Sequence, residues 1–193
     1  MISFLLNLDH RVFFFINGSL SNPVFDVIMP LFNRSLPLVI PFLAIWLFLL
    51  IKQKKRRWFI AFIFPLTVLS VDQTGYHIKK LELRERPFVH YGTESVNHLG
   101  GKGGKKQSFP SNHAANSAAM AVVFSYLYRR YRGWFWGLTI INMFSRIYIG
   151  VHYPLDVLGG ALLGGTMATA LIYLLEKSLY RFRKIQSGIR IRK

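Results

Sequence analysis

Residues 35–51 read SLPLVIPFLAIWLFLLI, a run in which Ser35 is the one plainly polar residue. A helix of about 20 predominantly apolar residues is what crosses the hydrocarbon core of a bilayer. Four other segments have comparable length and composition, at 58–78, 113–128, 133–150 and 155–175. The sequence therefore predicts an all-α, polytopic integral membrane helical bundle with about five transmembrane helices.

The first 33 residues predict a different arrangement. Asp9, His10 and Arg11 interrupt the apolar stretch 2–16, and Asn22-Pro23 is typical of a new helix start. We expect two short helices that lie along the membrane interface or dip into it. The chain is then one membrane-embedded domain, with interfacial helices over 1–33, a helical core over 34–176 and a basic tail over 177–193.

The basic residues are concentrated in three short segments. The chain is 52% hydrophobic and carries a formal charge of +17. Its apolar runs leave little soluble surface for a nucleic-acid footprint, so we expect no nucleic-acid partner. Segments 52–57, 129–132 and 177–193 hold fifteen Lys and Arg residues, and Glu176 is the acid that adjoins them. Alternating spans bring all three to one side, which the positive-inside rule assigns to the cytoplasm. Residues 79–112 and 150–155 are then expected to face outward.

Polar residues gather at the outward ends of the predicted spans. One group surrounds Lys79 and Arg86-Pro87, a second is Pro110-Ser111-Asn112-His113, and a third combines Ser145-Arg146 with His152 and Asp156. Each has an ordinary structural explanation as an interfacial anchor, a helix cap or a structural pair. Three such groups on one membrane face favour a functional site.

Phosphoryl transfer explains these residue types together. The cations Lys79, Arg86 and Arg146 can surround a phosphate, and the helix N-terminus near Ser111 suits an anion. A neutral imidazole can attack phosphorus, and a carboxylate four residues on, as Asp156 follows His152, can fix the ring tautomer. A second histidine can protonate the leaving oxygen and then activate water. No acidic cluster is suited to a metal, so we expect no metal and no cofactor.

At these residues the sequence resembles the type 2 phosphatidic acid phosphatase (PAP2) superfamily. The pattern K-x6-RP matches Lys79 to Arg86-Pro87, PSGH matches residues 110–113 with one departure, and SR-x5-H-x3-D matches 145–156 fully. The resemblance implies that His152 is the nucleophile, Asp156 its partner and His113 the acid. It further implies a phosphate cradle, whose members are Lys79, Arg86, Ser111, Asn112 and Arg146.

Two features near the second motif bear on the substrate. Asn112 stands where the family usually has glycine, and it either tolerates the left-handed backbone of a tight turn or offers its amide to substrate. A Gly-rich loop at 100–106 carries Lys102, Lys105 and Lys106 on the outward side. This loop is either a simple flexible connection or a basic flap that meets a polyanionic head group.

These features predict metal-independent hydrolysis of a phosphate ester or pyrophosphate on a membrane lipid. The resemblance implies undecaprenyl pyrophosphate, lipid A 1-phosphate or phosphatidylglycerol phosphate as substrate. The loop lysines favour the first two, and phosphatidic acid is a further candidate. The alternatives are a lipid phosphotransferase that uses the same phosphohistidine, and a non-enzymatic lipid transporter or scramblase. We expect a multi-pass protein of a bacterial-type inner membrane with a periplasmic active site, as a monomer or homodimer.

Overall fold

The computed structural model describes residues 2–33, 36–100 and 107–191, and all regular elements in this part of the chain are helical. The α-helices are α1 (Ile2–Phe14), α2 (Pro23–Ile28), α3 (Leu36–Lys52), α4 (Arg57–Lys79), α5 (Pro87–His90), α6 (Asn112–Leu127), α7 (Arg132–Tyr148) and α8 (Pro154–Ile191). The predicted all-α class is confirmed. The helices α3, α4, α6 and α7 coincide with predicted spans, whereas α8 continues through the segment expected to be a tail.

Two of the described helices meet the length and hydropathy of a full membrane span. They cover Lys54–Lys79, which includes the short 3-10 turn before α4, and Pro154–Phe182 in α8. The segments Ser3–Ser19 and Pro23–Asn33 meet the same test together but are bent by 99° at their junction, as a broken span or a re-entrant loop. The predicted count of five spans is not reached on this criterion, because α6 and α7 are short helices that carry polar residues at the site.

The centre of the bundle is α6, whose alanines let its neighbours approach closely. Ala114, Ala115, Ala118 and Ala119 are fully buried, and of these Ala115 and Ala119 pack between α4 and α8. A Cβ atom added to Gly164 of α8 would lie 1.8 Å from the carbonyl oxygen of Ala115, and one added to Gly160 would lie 2.4 Å from that of Ser111. These two glycines therefore serve packing within the chain, where helix backbones touch.

The N-terminal segment packs against the end of the bundle that holds the motifs. Asn22 caps α2 by accepting from the backbone N–H groups of Val24 and Phe25. Five residues earlier, Asn17 is buried and donates to the carbonyl oxygen of Tyr148 at 2.7 Å, while the Tyr148 hydroxyl donates to Asp26 at 2.7 Å. These bonds hold residues 15–28 beside the turn that joins α7 to α8.

Candidate active site

His152 lies in the turn between α7 and α8, where it is 4% exposed. The turn is tight because Gly150 has a φ of +75°, and a Cβ there would come within 2.6 Å of Val96. The backbone N–H groups of Val151 and His152 both donate to the carbonyl oxygen of Arg146 at 3.3 Å. The turn thus holds the backbone of His152 against the end of α7, beside the arginine of the same motif.

Asp156 lies one turn later, in the first turn of α8, and is fully buried. Its Oδ2 atom is 3.8 Å from Nδ1 of His152, as the spacing of the two residues predicts. Between them, the Ser108 hydroxyl donates to Oδ2 of Asp156 at 2.6 Å and lies 3.5 Å from Nδ1 of His152. The carboxylate also accepts from the backbone N–H of Tyr153 at 2.9 Å. Asp156 is therefore held on the Nδ1 side of the ring, which leaves Nε2 on the opposite side.

The environment of His152 keeps its imidazole neutral. Burial lowers the pKa of His152 to about 3, because a charged ring would lose its hydration there. Asp156 opposes this effect, while the positive charges of Arg86 and Lys79 add to it. A neutral imidazole retains a lone pair on one ring nitrogen, which is the form that can act as a nucleophile.

Lys79 and Arg86 are both anchored to backbone carbonyl groups of the site. The Lys79 ammonium, at the end of α4, donates to the carbonyl oxygen of Gln107 at 2.7 Å. Arg86 donates to the carbonyl oxygen of Val151 at 3.2 Å, next to His152, and burial lowers the pKa of its guanidinium. The structure thus brings the cations of the first motif to the histidine of the third.

Arg146 is fully buried at the end of α7. Its guanidinium donates to Oδ1 of Asn33 at 2.7 Å and to the Ser145 hydroxyl at 3.0 and 3.2 Å. Among the described residues, no carboxylate lies within ion-pair distance of it. A buried cation with neutral partners is costly unless an anion joins it, so the arrangement suits a phosphate group.

The second motif begins α6. Ser111 is the N-cap residue, its hydroxyl accepts from the N–H of Ala114, and its own N–H donates to the carbonyl oxygen of Asp156 at 3.0 Å. His113 follows in the first helical turn, where the charges of Arg146, Arg86 and Lys79 all act on it. These contacts bring the three motifs together at one end of the bundle.

Asn112 does not adopt the left-handed backbone that was one of its two predicted roles. It is the first residue of α6, and Glu82 is the one non-glycine with a positive φ in the described part of the chain. The Asn112 amide donates to Asp72 of α4 at 3.1 Å, and Asn116 donates to the same carboxylate oxygen at 3.3 Å. The side chain therefore points to α4, where Gly75 leaves room for it.

Three contributors to the site were not identified from sequence. Ser108, Asn33 and the α1 residue Asp9 contact Asp156, Arg146 and Arg84 respectively. Of these three, only Asp9 could have been suspected from the sequence, because it is a carboxylate within an apolar segment. The predicted substrate loop lysines, Lys102, Lys105 and Lys106, lie outside the described residues. Metal independence stays a prediction.

Comparison with known proteins agrees with this geometry. The sequence model described as the PAP2 superfamily matches residues 66–180, which include all three motifs. The chain belongs to the PAP2 superfamily. The resemblance inferred from the motifs is thereby confirmed.

Several similar proteins are named as phosphatases of lipid A or of undecaprenyl diphosphate. A lipid A 4'-phosphatase of Bacteroides thetaiotaomicron is 32% identical over 86% of this chain and 76% of its own length. An undecaprenyl-diphosphatase of Bacillus subtilis, BcrC, is 29% identical over 79% of this chain and 76% of its own. The crystal structure of Aquifex aeolicus LpxE matches with a TM-score of 0.71 and 25% identity, over 86% of this chain and 95% of that one. Within the superfamily, the chain therefore falls in the membrane lipid phosphatase branch.

Proposed function

We propose that this chain hydrolyses a phosphate ester or pyrophosphate on a membrane lipid through a phosphohistidine formed on His152. The observation that carries the proposal is a buried imidazole whose Nδ1 faces Asp156 and whose surroundings contain the cations Lys79 and Arg86, while Arg146 acts on the second histidine, His113. Phosphoryl transfer needs little beyond such positioning and neutralisation of charge.

The reaction runs in two steps. Nε2 of His152 attacks phosphorus, the bond from phosphorus to the leaving oxygen breaks, and His113 gives that oxygen a proton. The proton on Nδ1 remains directed at Asp156, which stabilises the positive charge of the ring. Water then attacks the phosphohistidine after losing a proton to His113, and release of phosphate returns Nε2 to its starting form.

The substrate proposal is a lipid with a polyanionic head group, either undecaprenyl diphosphate or lipid A. Support comes from the relatives, since one is named a lipid A 4'-phosphatase and another an undecaprenyl-diphosphatase. It also comes from the three cations around the site, which can accommodate more negative charge than one monoester carries. Phosphatidylglycerol phosphate and phosphatidic acid are the less charged comparisons.

The test is phosphate release by the purified chain in detergent, from these four lipids side by side. We expect release from at least one of them and loss of at least 99% of the rate in His152→Ala. Transfer of the phosphoryl group to an added lipid alcohol, with no free phosphate, would indicate a phosphotransferase. Turnover by His152→Ala near the wild-type rate would contradict the assignment of the nucleophile.

We further propose that the site faces the periplasm in a bacterial inner membrane. The motif residues occupy one set of helix ends, and the basic segments 52–57 and 129–132 occupy the opposite ends of the same helices. The chain has no cysteine, so single cysteines report position cleanly. A membrane-impermeant maleimide should label Glu94→Cys but not Gln53→Cys in intact spheroplasts, both positions being exposed. The reverse pattern would refute this orientation.

A further inference from the structure

Asp9 of α1 is a buried carboxylate far in sequence from all three motifs. Its side chain is 1% exposed, and Oδ2 is 2.5 Å from Nη2 of Arg84. Its other oxygen, Oδ1, accepts from the backbone N–H of Leu155 at 2.8 Å. Leu155 directly precedes Asp156, so this carboxylate binds both the start of α8 and the guanidinium beside it.

Arg84 connects this carboxylate to the one in the active site. Its Nη1 atom lies 3.2 Å from Oδ1 of Asp156, while Nη2 holds Asp9. The guanidinium stacks over the ring of Tyr153 at 3.7 Å, and the backbone carbonyl of Arg84 accepts from the N–H of Ser108 at 3.0 Å. Arg84 is thus held between two carboxylates, with one face of its guanidinium on Tyr153 and its backbone carbonyl bound to Ser108.

We propose that Asp9 and Arg84 are positioning residues for the His152–Asp156 pair. The inference rests on the proposed function, since it assigns them an effect on nucleophilic attack by His152. Neither residue belongs to the three motifs, and Asp9 lies outside the region 66–180 that the superfamily model matches. The segment expected to form two short interfacial helices therefore completes the catalytic arrangement.

The geometry gives the physical reason. A carboxylate can rotate about its Cβ–Cγ bond, and rotation out of its present plane would take its oxygen away from Nδ1 of His152. Arg84 binds Oδ1, while Ser108 and the N–H of Tyr153 bind Oδ2, so the plane of the carboxylate is held with Oδ2 toward the imidazole. Because Asp9 in turn fixes the guanidinium, losing it would free Arg84 to move and let the carboxylate turn from the imidazole.

A role in folding alone is the competing explanation. Removing one member of a buried ion pair leaves an uncompensated charge and destabilises strongly, whereas neutralising both members costs much less. The double variant Asp9→Asn/Arg84→Gln therefore separates the two explanations, since it removes the charges of both members of the pair. Arg84→Lys is a second probe, because a lysine keeps the charge but lacks the planar fork that spans two carboxylates. Glu85→Gln is the matched control, as it removes a charge from the exposed neighbour of Arg84.

The experiment measures kcat, KM and the thermal midpoint of the full chain in detergent, with undecaprenyl diphosphate and lipid A as substrates. For the double variant and Arg84→Lys we expect kcat to fall about 30-fold, in the range typical for residues that orient a reacting group through another residue. KM should stay within about twofold because neither side chain belongs to the phosphate cradle. Glu85→Gln should match the wild type in all three quantities.

Each possible result either supports or overturns the positioning role of Asp9 and Arg84. A wild-type kcat in both probes would overturn the proposal, and so would a rise in KM that accounts for the whole loss. Aggregation of both probes would show that the pair holds the fold rather than the site, which also overturns it. If neither the wild type nor Glu85→Gln releases phosphate from these two lipids, from phosphatidylglycerol phosphate or from phosphatidic acid, the proposed function is wrong, and this inference fails with it.

Discussion

Replacing Gly75 by alanine tests how α4 is fitted to the start of α6. A Cβ atom at residue 75 would lie 2.4 Å from Oδ1, 3.0 Å from Cγ and 3.2 Å from Nδ2 of Asn112. The asparagine would have to move, although its amide donates to Asp72 at 3.1 Å. The substitution therefore forces a choice between a steric overlap and a lost hydrogen bond.

Two opposing effects set the change in the free energy of unfolding. Overpacking at a tight contact costs about 1–3 kcal/mol. Alanine in a helix interior is favoured over glycine by about 1 kcal/mol, which offsets part of that cost. We expect Gly75→Ala to destabilise the protein by roughly 1 kcal/mol, and by no more than about 2 kcal/mol, which corresponds to about 2–8 °C in the thermal midpoint for a chain of this size.

The sign should reverse when Asn112 is replaced by the glycine usual in the family. In Asn112→Gly the amide that the new methyl group would strike is gone, so Gly75→Ala should raise the thermal midpoint by about 2–4 °C. Thermal unfolding of the four variants of this double-mutant cycle, in one detergent, measures the coupling. Gly137→Ala is the control, since a Cβ there has no neighbour within 4 Å. A shift of the same sign and size in both backgrounds would refute the proposed fit between Gly75 and Asn112.

Four further predictions concern the bundle and the site. Gly164→Ala should abolish folded protein in detergent extracts, because its Cβ would lie 1.8 Å from the carbonyl oxygen of Ala115; recovery of a normal thermal midpoint would contradict the backbone contact. His113→Asn should slow turnover at least about 100-fold and accumulate acid-labile phosphohistidine; an unchanged kcat would exclude the acid role. Vanadate should inhibit and EDTA should not, and inhibition by EDTA that zinc or magnesium reverses would overturn metal independence. The folded pKa of His152, about 3, lies below its unfolded value of about 6.5, so its contribution to stability is present above pH 6.5 and is lost as the pH falls toward 3. The thermal midpoint of His152→Asn should therefore vary less with pH in that window, and an identical pH dependence would argue against a buried neutral ring.

The helices could be predicted from the sequence where the composition of the segment itself determines them. Apolar runs gave α3, α4, α6 and α7 within a few residues, because hydrophobic length is sufficient to mark a membrane helix. The continuation of α8 to Ile191 was missed, since a string of basic residues is compatible with either a helix or an extended tail. Charge pattern cannot distinguish the two when helix formers are interspersed.

The site was predictable in its motifs and not in its supporting contacts. His152 and Asp156 are four residues apart, so one turn of chain brings them together. The partner of Arg146 is Asn33, 113 residues away, and Arg84 meets Asp9 from 75 residues away. No local sequence pattern predicts such pairs, because they form only when the N-terminal segment packs on the bundle. The direction of the Asn112 side chain was likewise decided by the space beside Gly75, a feature of a different helix.

The N-terminal contacts also bear on what can be exchanged between relatives. The region that the superfamily model matches, residues 66–180, holds every motif. It does not include Asp9 and Asn33, which bind two of its arginines, Arg84 and Arg146. A chimera joined at residue 66 would inherit the reactive groups without the side chains that orient them. The smallest transplantable unit of this phosphatase therefore begins with its first helix, and its N-terminal region has to be inherited together with the catalytic motifs.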